Sequence, residues 1–286
     1  MIFSEKPIID EVINKVVNIK TKYLFLINLS SMHKKDFISI IIPYHKKKKF
    51  FQETINSISK QTFKNFEVII IYDDHDKSEL NYVKKILNNE KFLKKLIINN
   101  KIIGAGLSRN KGIRISKGNY IAFCDADDLW KKNKLKDQIY FMKKNKINFS
   151  HSNYYVINAR SKIIGKLEVN KNIFYSELIK SCDIGLSTVM IKKSLINKNI
   201  FSNLKTKEDY LLWLKLIKYT NSFKGINKNL VYWRQLSDSL SASNLQKIRD
   251  AFSLYNEHLK FGFLLSIFCM IRLSINAFKK KIKMYS

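Results

Sequence analysis

Glycine and proline are scarce, with eight and two in 286 residues. That excludes a collagen-like or Gly/Pro-rich low-complexity chain and leaves no flexible linker of that kind. Cysteine is rarer than glycine. Cys124, Cys182 and Cys269 are far apart and odd in number. Neither a disulfide framework nor a zinc spacing follows, so a reducing cytoplasm is the expected setting. The five histidines (His33, His45, His75, His151 and His258) are scattered and suggest no ligand cluster. Acidic residues are few: 23 against 53 Lys plus Arg, for a net charge of +30. Such an excess favours anionic membranes and phosphorylated substrates. It does not select nucleic acid, because the lysines are spread along the whole chain among Asn and Ile and no binding signature accompanies them. A signal peptide is also lacking: residues 1–19 carry Glu5, Asp10 and Glu11 and no continuous apolar core. Residues 1–36 read as an N-terminal extension, with a short amphipathic helix at 8–20. Met32 lies just before the first strong strand, so an alternative start would account for residues 1–31.

What is present is a globular composition, 45% apolar and 13% aromatic. Apolar runs alternate with helical patterns. Phe37–Ile42 reads as a buried strand stopped by Pro43. Phe51, Ile55 and Ile58 then share one helical face. Phe66–Tyr72 is a second buried strand, ending in Asp73-Asp74. Leu80, Val83 and Leu87 mark a helix, Leu96–Ile98 a short strand, and Gly104–Gly112 a Gly-rich turn into another helix broken at Gly118. Residues 120–124 form the next strand. Strands and helices alternating at this spacing predict βαβ units and a mostly parallel sheet. Beyond Trp130 the pattern loosens into a helix over 131–144, strand-like pieces at 147–157 and 186–191, a helix over 207–219 and a strand over 230–234. The last segment, 242–286, reads as helical. Residues 261–278 hold no acid and are followed by Lys279, Lys280, Lys281 and Lys283. Arg272, Ser274 and Asn276 make it a poor bilayer span. An interfacial helix on anionic lipid is expected, and a helix packed on the rest of the chain is the plain alternative.

Chemistry concentrates where Tyr120–Cys124 runs out into Asp125-Ala-Asp-Asp128. Three carboxylates in four residues repel one another unless a cation or water screens them. Hard oxygen ligands at a strand exit suit Mg²⁺ or Mn²⁺, ions that usually bridge to a substrate phosphate. Strand C-terminal ends are also where open α/β sheets bind ligands. The bland reading is a solvated acidic turn before the next helix.

Several short patterns occur in a fixed order: Ile42-Pro-Tyr-His45, Gln61-Thr-Phe-Lys-Asn-Phe-Glu67, Asp73-Asp74, Ser108-Arg-Asn-Lys-Gly112, Phe123-Cys-Asp-Ala-Asp-Asp-Leu-Trp130 and Lys207-Glu-Asp-Tyr-Leu-Leu-Trp213. Each is weak alone. Together, over residues 37–241, they closely resemble the inverting glycosyltransferases of family two. The resemblance implies an α/β, GT-A fold (Rossmann-like, a mostly parallel sheet flanked by helices), here with a C-terminal helical segment. It also implies transfer of a sugar, with inversion, from a nucleotide donor to a glycan or lipid-linked acceptor. A UDP-sugar is the expected donor, and cell-surface polysaccharide or lipopolysaccharide synthesis at the inner face of the plasma membrane the expected setting. No nucleic-acid partner is expected.

Roles follow from the same resemblance. Pro43, Tyr44, Asp73, Asp74, Arg109, Asp125 and Arg234 are expected on the donor, with Asp74 accepting the imide N–H of a uracil-type base. Asp127, with Asp125, is the expected metal ligand, and Asp209 the expected base. Glu208 and Trp213 are expected on the acceptor side. As a bare pattern, Thr206 followed by two acids is equally a helix N-cap, and Trp213 equally core. Two departures stand out. The family's Asp-Asp-Gly-Ser turn is Asp73-Asp-His-Asp76 here, which removes a flexible glycine. A His that helps hold the metal in some relatives is Leu236, which predicts a weaker ion or a shell completed by water. Two rivals remain: a sugar nucleotidyltransferase, and a non-enzymatic basic lipid- or nucleic-acid-binding protein with a degenerate fold. The first would carry a Gly-rich phosphate loop where Pro43-Tyr-His45 stands. The second is opposed by the retained Asp125, Asp127 and Asp209.

Overall fold

The computed structural model describes residues 36–196, 200–236 and 243–285. The expected extension, its helix at 8–20 and the Met32 boundary lie outside the described residues, apart from Asp36. Four strands form the parallel half of the sheet: β1 (Ile38–Tyr44), β2 (Phe66–Tyr72), β3 (Leu93–Ile98) and β4 (Tyr120–Phe123). Their order is β3-β2-β1-β4, all parallel. β1 and β2 are buried on both faces, which is why they read as unbroken Ile/Val runs. Helices α1 (Lys48–Ser59), α2 (Lys77–Asn88) and α3 (Ala105–Ile115) make the crossovers.

Pro43 does not stop β1. The strand continues to Tyr44, opposite Tyr72. On its other edge β4 reaches only Ile41, so no partner on that side needs the N–H that proline lacks. The helix expected from residue 131 starts later. Leu129–Trp130 is a short strand, β5, paired with the last strand of the sheet, and α4 runs Lys134–Lys144. Gln61 explains the delay: its amide donates to Lys131 O (2.8 Å) and its carbonyl oxygen accepts from Leu135 N (3.1 Å). Residues 129–133 are thereby tied to the end of α1 rather than wound into α4.

The second half continues the same sheet as β4-β9-β6-β10-β5. It uses β6 (Phe149–Ile157), β7 (Ile163–Leu167), β8 (Asn172–Ile173), β9 (Met190–Lys192) and β10 (Phe223–Arg234), with short helices α5 (Tyr175–Leu178) and α6 (Lys193–Ile196). Helix α7 (Glu208–Leu216) lies against the centre. α8 (Asn244–Ser253) and the 23-residue α9 (Phe263–Tyr285) follow. β7, β8 and α5 are not apparent in the sequence pattern, because β7 is half-exposed and β8 is two residues long. α9 lies against the edge strand β7, α8 and residues 254–258, and buries Ser266, Cys269, Leu273 and Met284. No helix among the described residues is long and apolar enough to cross a membrane.

Candidate active site

β1, β2 and β4 end on one edge of the sheet, and the candidate residues gather there. Asp73 and Asp74 follow β2 directly. Asp73 is buried and accepts from Asn99 Nδ2 (2.7 Å), Ile103 N (2.9 Å) and Gly104 N (2.8 Å). It therefore fixes the turn that starts α3. Gly104 sits at φ +87°, a left-handed conformation that a side chain would strain. Asp74 accepts from His75 N (2.7 Å) and Lys46 N (3.1 Å), which joins the exits of β1 and β2. The glycine missing after Asp74 is not needed, since His75 is not at positive φ. Asp76 instead caps α2, accepting from Ser78 N and Glu79 N. Pro43 is half-buried beneath this loop. Tyr44 is fully buried; its hydroxyl donates to Glu79 Oε2 (2.6 Å) and its ring stacks on Tyr72. Both supply the floor beneath the Asp74 loop, and Tyr44 presents no hydroxyl to a ligand.

Arg109, expected on the donor side, is a buried strut between two elements. Its guanidinium donates to Glu208 Oε1 (2.6 Å) and Asp125 Oδ1 (2.7 Å) and lies over the Phe201 ring. This close approach needs small neighbours. A Cβ on Gly106 would come within 2.7 Å of Ser202 O, and one on Gly112 within 2.6 Å of Ile41 Cγ2. The Ala-Gly-Leu-Ser-Arg-Asn-Lys-Gly run thus lets α3 press on β1 and on the approach to α7. Two carboxylates keep Arg109 charged despite its burial. Burial pushes Glu208 up to about 7, against the pull of Arg109. Glu208, expected on the acceptor side, is paired here with Arg109.

The Asp125–Asp128 cluster has a different character. Asp127 Oδ2 lies 2.8 Å from Lys47 Nζ. Its carboxyl is pushed up by burial, with Asp125 adding to the rise and Lys47 opposing it. Asp128 is pushed well above the usual carboxylate range by burial and by Asp127 and Asp125, although Ser187 Oγ (2.5 Å) and Arg234 N (2.8 Å) donate to it. Arg234, also expected on the donor, has its guanidinium on Asp127 O, Asn158 O, Ser161 Oγ and Glu53 Oε2, with Phe50 beneath it. It braces the loop that carries Asp127. The neighbouring Leu236 is half-buried.

Asp209 opens α7 beside this cluster. Burial raises its pKa, Arg109 pulls it down, and Asp125 pushes it up. Thr206 is not the cap of α7: its N–H and hydroxyl both donate to Asp250 Oδ2 (2.7 Å each), which ties the helix start to α8. The residue at the cap is Lys207, in a left-handed conformation. Carboxylates in the first turn of an uncapped helix face its positive end. Trp213 is fully buried among Phe149, Phe201 and Phe123. It is part of the core.

A divalent cation fits the cluster by donor chemistry. Its carboxylates are hard oxygen ligands, and burial together with their neighbouring acids pushes Asp127 and Asp128 up, the mark of poorly compensated charge. Among the described residues no group of three or more His, Cys, Asp or Glu could hold a metal alone. The protein would then supply Asp127 and Asp125, and phosphate and water the remainder, the usual Mg²⁺ arrangement. Sequence reasoning missed Lys47, Asp128, Ser187 and Glu53. Only Asp128 carried a signal, as the third acid of the run; Lys47 was hidden among four consecutive lysines.

A family model described as glycosyl transferase family 2 matches residues 39–205. The chain is 36% identical over 214 residues to the UDP-Glc:alpha-D-GlcNAc-diphosphoundecaprenol beta-1,3-glucosyltransferase WfgD of Escherichia coli, covering 74% of this chain and 82% of that protein. Among solved structures, S. aureus TarS 1–349 in complex with UDP superposes with a TM-score of 0.61 at 22% identity, covering 77% of this chain and 64% of TarS. The mannosyltransferase PcManGT from Pyrobaculum calidifontis, in complex with GDP-Man and Mn²⁺, does so with 0.61 at 13% identity, over 79% of this chain and 64% of that one.

Proposed function

The chain belongs to glycosyl transferase family 2 and is a glycosyltransferase of GT-A fold, and on that premise we propose that it moves a sugar with inversion from a UDP-sugar to a lipid-linked diphosphate acceptor. Work in cell-surface polysaccharide assembly at the inner face of the plasma membrane follows from that acceptor. The WfgD name, which specifies UDP-Glc and a diphosphoundecaprenol acceptor, supports the donor and acceptor classes. The observation that carries the mechanism is the Arg109 strut, which couples Asp125 to the first turn of α7 and so brings Asp209 beside the donor-side carboxylates.

In this reading Asp74 accepts the imide N–H of the uracil ring. Asp125 faces the ribose, and Asp127 with Asp125 holds Mg²⁺ or Mn²⁺. Held there by Asp127 and Asp125, such an ion would supply positive charge against the diphosphate leaving group. Asp209 accepts the proton of the attacking acceptor hydroxyl on the face opposite the leaving group. Its burial-raised pKa suits a base, since a stronger base near the working pH takes a proton more readily. Lys47, already 2.8 Å from Asp127, stands ready to share the diphosphate charge.

UDP release from a panel of UDP-sugars, with a lipid-diphosphate acceptor and Mn²⁺, tests the reading. Release with none of them overturns it. Asp209→Asn is expected to keep UDP affinity and lower kcat by roughly 10²–10⁴-fold, the range for losing a general base. Unchanged kcat would make Asp209 merely a helix-terminal acid.

A further inference from the structure

Helix α9 is apolar on two opposite faces. One is buried: Ser266, Cys269, Leu273 and Met284 pack on the body of the protein. The other carries Leu264, Phe268, Ile271, Ile275, Phe278 and Ile282. These recur every three or four residues, so they line one stripe along the helix. Their exposures run from 50% to 81%. A row of large side chains this long and this exposed is far outside the scatter of single apolar residues on an ordinary surface.

The charges show what covers it. α9 contains no Asp or Glu. At about 100° per residue, Arg272, Lys279, Lys281 and Lys283 fall on the flanks of the stripe. Lys280 turns inward, to Cys182 O and Asp183, and Arg272 is half-buried with its guanidinium donating to Cys269 Sγ, which leaves the exposed lysines on the flanks. A second copy docked helix to helix would set these cations against one another with no carboxylate on α9 to answer them. A bilayer would not: the stripe enters the acyl boundary and the flanking lysines reach anionic headgroups. We propose that α9 is a membrane-docking helix that lies in the interface of an anionic bilayer. The proposal stands apart from the choice of acceptor. It has a geometric consequence for the site nonetheless. α9 touches Lys180 O through Asn276 and Gln235 through Tyr285, and Gln235 adjoins Arg234, which braces the Asp127 loop. The docked helix would therefore hold the catalytic edge near the headgroups.

Flotation of the full-length protein with vesicles of phosphatidylcholine alone, or with 30–40% phosphatidylglycerol (roughly the range that gives a strong negative surface potential), decides it. The expected result is flotation with the anionic vesicles, weaker at high salt as exposed charge contacts are screened. Phe268→Gln/Ile271→Gln/Ile275→Gln, all at exposed positions, should lower the bound fraction at least tenfold while leaving the melting temperature and UDP binding unchanged. Equal flotation of the triple variant overturns the proposal. So does a wild-type chain that ignores anionic vesicles but forms a dimer that the triple variant dissociates.

Discussion

Two pairs of acids leave neighbouring strands of one sheet, and the protein treats them in opposite ways. Asp73 and Asp74, after β2, are met by backbone N–H groups from residues 46, 75, 103 and 104 and by the Asn99 amide. Asp127 and Asp128, after β4, meet a lysine at the edge, one serine and one backbone N–H, and burial leaves both carboxyls high. Fixed amides hold the first pair in place: Asp73 sets the turn into α3, and Asp74 is oriented at the exits of β1 and β2. The second pair is left poorly compensated, which in the proposed reading a cation and a diphosphate would relieve. Carboxylates alike in sequence thus differ by who donates to them.

Substituting across that divide should give opposite results. Asp127→Asn is expected to lower turnover by roughly 10²–10³-fold or more, the scale of losing one preorganised electrostatic group. Calorimetry should show the Mn²⁺-assisted part of UDP binding gone. The melting temperature should hold or rise, because a poorly compensated buried charge has been removed. Retention of metal-assisted binding would take Asp127 out of the ligand set and erase the contrast.

How far these differences were legible depended on what made them. β1, β2 and β4 are buried on both faces, so their apolar runs announce strands, and the acids at their exits stand out. The ordered motifs carried the family. Partner assignments were not legible. Arg109 and Arg234 look like ligand-binding arginines in the chain, yet each is spent on protein carboxylates and carbonyls brought from up to 181 positions away. Trp213 sits one turn after Asp209, as an acceptor platform would, but α7 turns that side inward onto three phenylalanines. The late start of α4 came from Gln61, in a different motif. Spacing along a chain reports which element a residue rides on; it does not report which face that element buries.

A smaller effect is expected on the scaffold side. Asp73→Ala removes the acceptor of the half-buried Ile103 N–H and of the Gly104 N–H, and one of the two acceptors of the buried Asn99 amide, which keeps Ser108 Oγ. Water can reach the exposed Gly104, so a loss of about 1–3 kcal/mol, the scale of one unsatisfied buried donor, is expected in urea unfolding. Asp73→Ala with native stability and a specific loss of UDP affinity would move Asp73 from scaffold to ligand.

The last comparison concerns pH and separates the carboxylates from the one described histidine that is fully buried. Asp127 and Asp128 have folded pKa values above those of the unfolded chain, so the stability they favour is present at low pH and is lost as pH rises through the raised values. Divalent cation with UDP should offset that loss. His151 works the other way. It is fully buried on β6, both ring nitrogens lack a partner, and burial lowers its pKa to about 3. The unfolded chain takes up this proton first, near pH 6.5, and the folded chain only near 3. Stability should therefore fall as pH drops through that window, by up to about 1.4 kcal/mol per pH unit for one proton. Metal and UDP should leave this acid limb unchanged, since His151 lies away from the carboxylates. His151→Gln should flatten it. An acid limb that persists in the variant, or that responds to Mn²⁺ and UDP, would place the acid sensitivity back among the aspartates.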